Sequence, residues 1–550
     1  MTFRPAAVGI LALGILASAL RAQEIGAPPD ARVVPRGALR VAFEPLYFTY
    51  NQLYDSAGNE IPFGHYLSAD SMGVSLFPTL AGAQAAVWDL SGDSTFRFDA
   101  GKLITSADAD IRHFPLSASF GLSRRLTFVA TVPLVVTRVR SFIRVDGTGA
   151  NAGLDTVYTN GSLISLIAQL SAAADQVDAN IAAGSYGCPS ATTCDAARTT
   201  LAKARSAVND LMAITGAGLP QGSPVPPFVP FGSSSAGATM IAAVDQLRVD
   251  LATLGATVQD SLMLPTSPAD TTAVANLLAN PIYGYDAAPL NPSMPIKRTH
   301  IGDITLGLRY ALADGAHVRS VLYGTARLPT GKVDSAGDFL DLATGTHALG
   351  LTGGIEFALE PGTRLGLTLS GSYTREFSAN LQRRIAFPFA PITPAADTAM
   401  VSRKLGDVIR FGLYPSLRLN PEFRVYGSVD YYHKGADVYS ASTAAGDTIT
   451  SAGGAQVADL GMLSAMTSWS IGGGIWYRAT HGQRAKALPI EAGVGYHAAF
   501  SGTGGFTPKG IVLTFSLRLF YRLWGNPVSQ SAPPPPQQTP APAKQDSQTH

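Results

Sequence analysis

The stretch HFPLSASFGLSRRLTFVATVPLVVT, residues 113–137, decides the fold class of this chain. Apolar residues recur at every second position, from Phe114 to Leu122 and again from Leu126 to Val136, and small or polar residues fill most of the positions between them. A period of two is typical of a β-strand whose two faces lie in different environments. The polar reversal LSRR at 122–125 joins the halves, so the stretch predicts two antiparallel strands and a tight turn.

Segments with the same alternation recur along the chain, about twelve in all. They lie near 38–50, 113–123, 126–136, 303–312, 318–328, 347–359, 365–373, 406–419, 423–432, 467–478, 488–500 and 511–521. Alternation alone would also suit a soluble sandwich, so the connections decide between the two folds. Short polar turns alternate here with mostly longer connections, which is the pattern of a barrel with turns on one side of a membrane and loops on the other. The sequence therefore predicts an all-β transmembrane antiparallel β-barrel of about 12 strands.

The composition agrees with a membrane barrel and excludes other classes. Of 550 residues, 14% are charged and 46% are hydrophobic, and the net charge is +1. Disorder over most of the chain would need low hydrophobicity and high net charge, and a nucleic-acid surface would need a basic excess. Past residue 22 no apolar run approaches the ~20 residues that a spanning helix needs.

The two ends and one internal segment depart from the strand pattern. Residues 1–22 have the positive start, short apolar stretch and small residues of a secretory signal peptide. Residues 23–143 carry the first barrel strands, 144–299 form an α-helical extracellular insert, and 300–524 carry the remaining strands. Residues 525–550 are rich in proline and predict a disordered tail. An even strand number places both termini in the periplasm of a bacterial cell, with the barrel in its outer membrane.

Apolar residues within the insert recur at steps of three and four near 163–181, 201–211 and 241–258, which predicts three amphipathic helices. These helices either pack together as a small bundle or lie as a hairpin on the barrel rim. Cys188 and Cys194, the only cysteines, lie between the first two helices. Their spacing is not that of a redox pair, and two thiols without a nearby histidine make a poor metal site. In an exported chain they predict a structural disulfide.

We find no catalytic motif and predict that the protein is not an enzyme and has no catalytic residues, metal site or cofactor. The stretch YGTARLPTGK resembles a phosphate-binding loop but has Ala326 and Val333 where Gly and Ser or Thr are needed. The acidic residues Asp334, Asp338 and Asp341 do not have the spacing of a calcium loop. His497 falls on an inward face and leaves a barrel-embedded hydrolase as a remote alternative.

The charged residues of the strands fall on the faces opposite the apolar ones, so we expect them to face the lumen. These candidates are Asp303, Arg309, Glu356, Asp407, Arg410, Arg418, Arg424, Asp430, Arg478, Glu491, Arg518 and Arg522, of which Asp407 is out of phase with Arg410. Because both signs occur, the lumen is either lined by water or braced by ion pairs. Twelve strands enclose a bore wider than side chains fill in an eight-stranded barrel, which permits a conduit. Loops or the N-terminal segment could still plug it.

Short motifs add a family resemblance. Residues 121–126, Val132-Pro133, Gly302-Asp303 and the LPTG of 328–331 occur in the same order as in the outer-membrane β-barrel family named after the MetA pathway of phenol degradation, which the chain resembles. The resemblance covers the barrel strands; the insert and the Pro-rich tail depart from it. It implies a transporter-like channel for aromatic and other hydrophobic compounds.

The leading hypothesis is therefore an outer-membrane channel for passive uptake of small molecules, hydrophobic or aromatic ones included. The alternative is a structural or adhesive barrel that displays its helical insert to an extracellular partner. The expected partners are outer-membrane lipid and a small-molecule solute, with no nucleic acid.

Overall fold

Twelve strands close into one antiparallel barrel in the computed structural model of the protein. The structure describes residues 29, 31–155, 161–217, 225–285, 295–336, 342–362, 364–387, 392–442, 450–451, 453–478 and 490–524. The predicted signal peptide and the Pro-rich tail therefore lie outside the described residues.

The barrel strands follow the order of the sequence. They are β1 (Ala38–Phe43 and Leu46–Tyr54), β2 (Lys102–Gly121), β3 (Leu126–Asp146), β4 (Ile296–Ile301 and Thr305–Asp314), β5 (Val318–Arg327), β6 (Gly350–Leu359), β7 (Leu365–Glu376), β8 (Val408–Arg418), β9 (Phe423–Lys434), β10 (Met466–Arg478), β11 (Ile490–Thr503) and β12 (Thr507–Arg522). Each strand pairs antiparallel with the next, and β12 pairs with both parts of β1, which closes the barrel. The predicted fold class is confirmed.

The two faces of the wall follow the predicted alternation. Leu116 is 55% exposed, Leu308 48% and Ile355 47%, so large apolar side chains cover the outer surface. Ser119 and Thr127, from the opposite set, are buried inside the wall. An apolar surface of this extent is costly in water and is favourable against hydrocarbon.

Strands β2 and β3 run well beyond the segments that alternation marks. They have 20 and 21 residues, about twice the length that a tilted strand needs to cross a bilayer. Their outer halves, 102–108 and 140–146, pair with each other beyond the region where β1 and β4 flank them. This extended hairpin carries apolar residues such as Leu103 and Ile143 that pack against the helices rather than lipid.

Five helices lie among the described residues, all in long connections. They are α1 (Leu80–Ser91), α2 (Ser162–Ala182), α3 (Thr192–Thr215), α4 (Ser235–Thr253) and α5 (Thr271–Ala279). Helices α2, α3 and α4 confirm the three amphipathic helices. Helices α1 and α5 were not predicted; in α1, LAGAQAAVWDLS, small alanines and a glycine weaken the contrast between the apolar and polar faces. Among the described residues, no helix is long and apolar enough to cross a membrane.

The helices form a bundle, the first of the two arrangements left open by the sequence. Helix α3 packs against both α2 and α1, and buried residues such as Leu170, Leu211 and Val87 fill the space between them. This core continues into Val139 and Ile143 of β3. The predicted disulfide joins Cys188 and Cys194 between α2 and α3 and is confirmed.

Candidate functional site: the barrel lumen

Two large cavities lie inside the barrel. We call them the loop-end cavity, about 510 Å³, and the turn-end cavity, about 680 Å³, after the long loops and the short turns that they approach. Pro29 and Tyr414 line both of them, so these two residues lie between the cavities.

The loop-end cavity has an excess of carboxylates. Among the described residues that line it, the charged groups are Glu44, Asp303, Glu356, Asp430, Arg327 and Arg410. Hydroxyl groups from Thr325, Thr352 and Thr374 and several tyrosines fill much of the remaining wall. The surface is therefore polar, with four carboxylates and two guanidiniums.

Asp303 fixes the loop that lines this cavity. Its carboxylate accepts hydrogen bonds from the backbone N–H of Gly331, at 2.9 Å, and from the N–H and hydroxyl of Thr346, both at 2.9 Å. A side chain at Gly331 would place Cβ 2.6 Å from the Cα of Gly345, so the approach needs glycine there. The Gly302-Asp303 and LPTG motifs are thus in direct contact, and residues 343–346 line the cavity.

The turn-end cavity has the opposite charge balance. Among the described residues that line it, the charged groups are Arg32, Arg319, Arg364, Arg418, Arg424, Arg478, Arg518 and Glu422. Tyr414, Tyr426 and Trp476 add aromatic surface. The guanidinium of Arg518 lies 4.7 Å from the centroid of the Trp476 ring, within range of a cation–π contact.

Glu360, in the turn after β6, is shared by three of these arginines. Its Oε1 accepts hydrogen bonds from Arg319 at 2.9 Å and Arg424 at 2.8 Å, and its Oε2 accepts one from Arg418 at 3.2 Å. Burial raises the pKa of Glu360, but the hydrogen bonds from Arg319 and Arg424 outweigh it and lower the pKa to about 2. The carboxylate is therefore ionised at neutral pH and offsets one of the three positive charges.

A similar arrangement surrounds Glu491, which lies behind the cavity wall. It pairs with Arg478 at 2.5 Å and with Arg518 at 3.6 Å, and Arg518 also bonds Glu44 at 2.8 Å. These ion pairs brace β10, β11 and β12 against β1.

The segment before β1 lies within the lumen. The backbone N–H of Ala31 donates to Glu356 Oε2 at 3.2 Å, and that of Val34 donates to the Thr127 hydroxyl at 2.8 Å. Ala31 and Val34 are 1% and 2% exposed. Because Pro29 lines both cavities, this segment occupies the space between them.

The remaining sequence candidates fall into different positions. Arg309 and Glu356 form a bidentate pair, at 2.9 and 2.6 Å, beside a third cavity of about 220 Å³. Arg410 lies over the Tyr432 ring at 5.3 Å in the loop-end cavity. Arg522, the last residue of β12, is exposed at the turn end.

Asp407 does not follow the expectation that it faces the lumen. It precedes β8 and accepts a hydrogen bond at 2.5 Å from the hydroxyl of Tyr373, whose ring is exposed on the outer surface. Its other oxygen accepts the backbone N–H of Glu376 at 3.1 Å. Strand β8 begins one residue later, at Val408, so the inward and outward alternation of β8 does not predict which way the Asp407 side chain faces.

Several charged residues of the lumen were not among the predicted ones. Arg319 and Arg327 share the inward phase of β5 with Tyr323 and Thr325, so alternation within VRSVLYGTAR could have identified them. Glu360 lies in a turn, where alternation gives no face. Its role follows only from the arginines that adjacent strands place around it.

His497 is not part of a hydrolase triad. It is fully buried, and its Nδ1 lies 3.0 Å from the Ser428 hydroxyl and 4.0 Å from Asp430 Oδ2. In a triad the nucleophile and the acid contact different ring nitrogens, whereas here both lie at the same nitrogen.

No three His, Cys, Asp or Glu side chains cluster as a metal site within the described part of the chain. Asp334 forms a buried bidentate pair with Arg383, at 2.6 and 2.7 Å. Asp338 and Asp341 lie outside the described residues.

No protein-family model matches the chain, and no curated protein matches it. Several solved structures align over most of its length. An outer-membrane channel from Pseudomonas putida F1 has 10% identity and a TM-score of 0.40, with 90% of this chain and 99% of that chain covered. The toluene transporter TbuX from Ralstonia pickettii has 10% identity and a TM-score of 0.27, with 88% and 90% covered.

The translocator domain of the autotransporter NalP from Neisseria meningitidis has 8% identity and a TM-score of 0.28, with 92% and 93% covered. The chain is therefore similar to outer-membrane barrels of more than one kind. Likeness at these scores does not distinguish between their activities.

Proposed function

We propose that the protein is an outer-membrane channel that lets small molecules diffuse down a concentration gradient, without enzymatic activity. The observation that carries the proposal is the pair of polar cavities, about 510 and 680 Å³, that lie on either side of Pro29 and Tyr414 inside a barrel with an apolar outer surface. Cavities of this size accommodate small ligands.

The turn end of the barrel faces the periplasm in this proposal, and the long loops face outward, as in other barrels of this type. The solute would enter between the loops, pass the segment near Pro29 and leave through the turn-end cavity. Aromatic side chains line both cavities, which supports small aromatic molecules as one class of solute.

Reconstitution tests the channel directly. Purified protein in a planar bilayer should give discrete current steps, and proteoliposomes should swell in small solutes but not in large ones. Protein that is shown to be folded by its heat-modifiable gel mobility, yet gives neither conductance nor swelling, would refute the proposal.

Display of the helical bundle to an external partner is the second candidate, supported by exposed apolar residues such as Ile164 and Val249 on α2 and α4. Removing residues 150–295 separates the two functions. A channel should keep or increase its flux, whereas a display protein should lose its partner and nothing else.

A further inference from the structure

We propose that the turn-end cavity is a binding site for small aromatic carboxylates. The inference rests on the proposed channel function and names one class of solute for it. Its basis is a surplus of guanidinium groups beside aromatic side chains in one cavity of about 680 Å³.

The surplus follows from how the arginines share their partners. Glu360 offsets one of the three charges of Arg319, Arg418 and Arg424. Glu491 and Glu44 offset Arg478 and Arg518. The Glu360 cluster therefore holds three guanidiniums and one carboxylate, which leaves two positive charges, and the Arg364 and Glu422 side chains that line the same cavity add one charge of each sign.

Two of these arginines remain open to the cavity. The side chains of Arg418 and Arg424 are 35% and 28% exposed. Each donates a hydrogen bond to Glu360 from its Nη2 atom only. A guanidinium carries five N–H donors, so each has donors to spare for an incoming anion. Its planar fork matches a carboxylate, and such charge-assisted hydrogen bonds are stronger than neutral ones.

The aromatic part of the ligand has its own surface. Tyr414, Tyr426 and Trp476 line the same cavity as the arginines. A flat ring can stack on or meet the edge of these side chains while its carboxylate contacts the guanidiniums. The open guanidiniums of Arg418 and Arg424 line the turn-end cavity and not the loop-end cavity, so the site lies on the turn-end side of Pro29.

Benzoate is the probe, and benzyl alcohol is the neutral control of similar size. In detergent, calorimetric titration of benzoate should give saturable binding that weakens about tenfold or more in R418Q/R424Q, because two charge-assisted contacts are lost. The matched control is R124Q/R125Q, which removes the same charge from an exposed turn at the same end of the barrel. That control should bind benzoate like the parent protein.

The current gives a second readout. Benzoate should block chloride current in the parent and in R124Q/R125Q but much less in R418Q/R424Q, and benzyl alcohol should not block any of them. Equal benzoate binding in R418Q/R424Q and the parent, or equal binding of benzyl alcohol, would overturn the site. A folded parent that conducts but does not bind benzoate refutes this inference alone. A parent that binds benzoate but never conducts refutes the channel while retaining the site.

Discussion

The two lumenal cavities share one wall but hold their charges in different ways. At the loop end, Asp303 is held by backbone N–H groups, Thr346 and Arg327, and Glu356 is held by the fork of Arg309. In the turn-end cavity one carboxylate, Glu360, serves three guanidiniums. The first arrangement fixes structure, because several donors converge on each of these two carboxylates. The second leaves net charge for a solute, because the donors outnumber the acids.

The segment before β1 keeps the two cavities apart, so its removal should have the largest effect. Removing residues 23–36, so that the chain begins at Gly37 after the predicted leader, should join the two spaces and raise single-channel conductance several-fold. The physical reason is that Pro29 lines both cavities and Ala31 and Val34 are buried in the lumen. Bilayer recordings at matched salt measure the change. Unchanged conductance in a folded variant would mean that this segment does not limit the passage.

Removing an arginine should cost more stability where it is the only guanidinium bound to a carboxylate than where three guanidiniums share one. R309Q leaves Glu356 buried without its guanidinium and should lower the free energy of unfolding by about 3–5 kcal/mol. R418Q removes a half-exposed group from a carboxylate that keeps Arg319 and Arg424, and should cost roughly 0–1 kcal/mol. Urea unfolding in lipid, followed by tryptophan fluorescence, compares the two. Equal decreases in the free energy of unfolding for R309Q and R418Q would contradict the proposed difference between the two cavities.

Asp303 gives a smaller effect that is confined to the loop end. In D303N an amide N–H₂ replaces an acceptor that faces the donors of Gly331 and Thr346, which should cost about 1–3 kcal/mol. Hydrogen exchange should then quicken at residues 343–346 and stay unchanged around the turn at 360. Faster exchange at both ends would show that the two regions are not independent.

The smallest effect is expected on the outer surface. D407N removes a charge that bonds Tyr373 outside the lumen, so it should change stability by less than ~1 kcal/mol and leave the reversal potential in a salt gradient unaltered. A shift in ion selectivity equal to that of R418Q would place Asp407 in the conduction path.

Much of the barrel could be predicted because alternation depends on neighbouring residues alone. Leu308 and Arg309 face opposite sides of β4 whatever the rest of the chain does. The ends of β2 and β3 could not be predicted, since their outer halves pack against helices and carry a different pattern. The partners of the arginines were equally hidden, because they depend on which strands lie side by side.

The sequence by itself determined the barrel class, the apolar outer face, three helices of the insert and the disulfide. Each follows from a local period, or from two cysteines with no other partner in the chain. Only the tertiary structure decided where charge accumulates. Arg518 meets Glu44 across 474 residues because the last strand closes on the first. Glu360 gathers three arginines because the register of β5, β8 and β9 brings them to one turn, and no local pattern encodes that register.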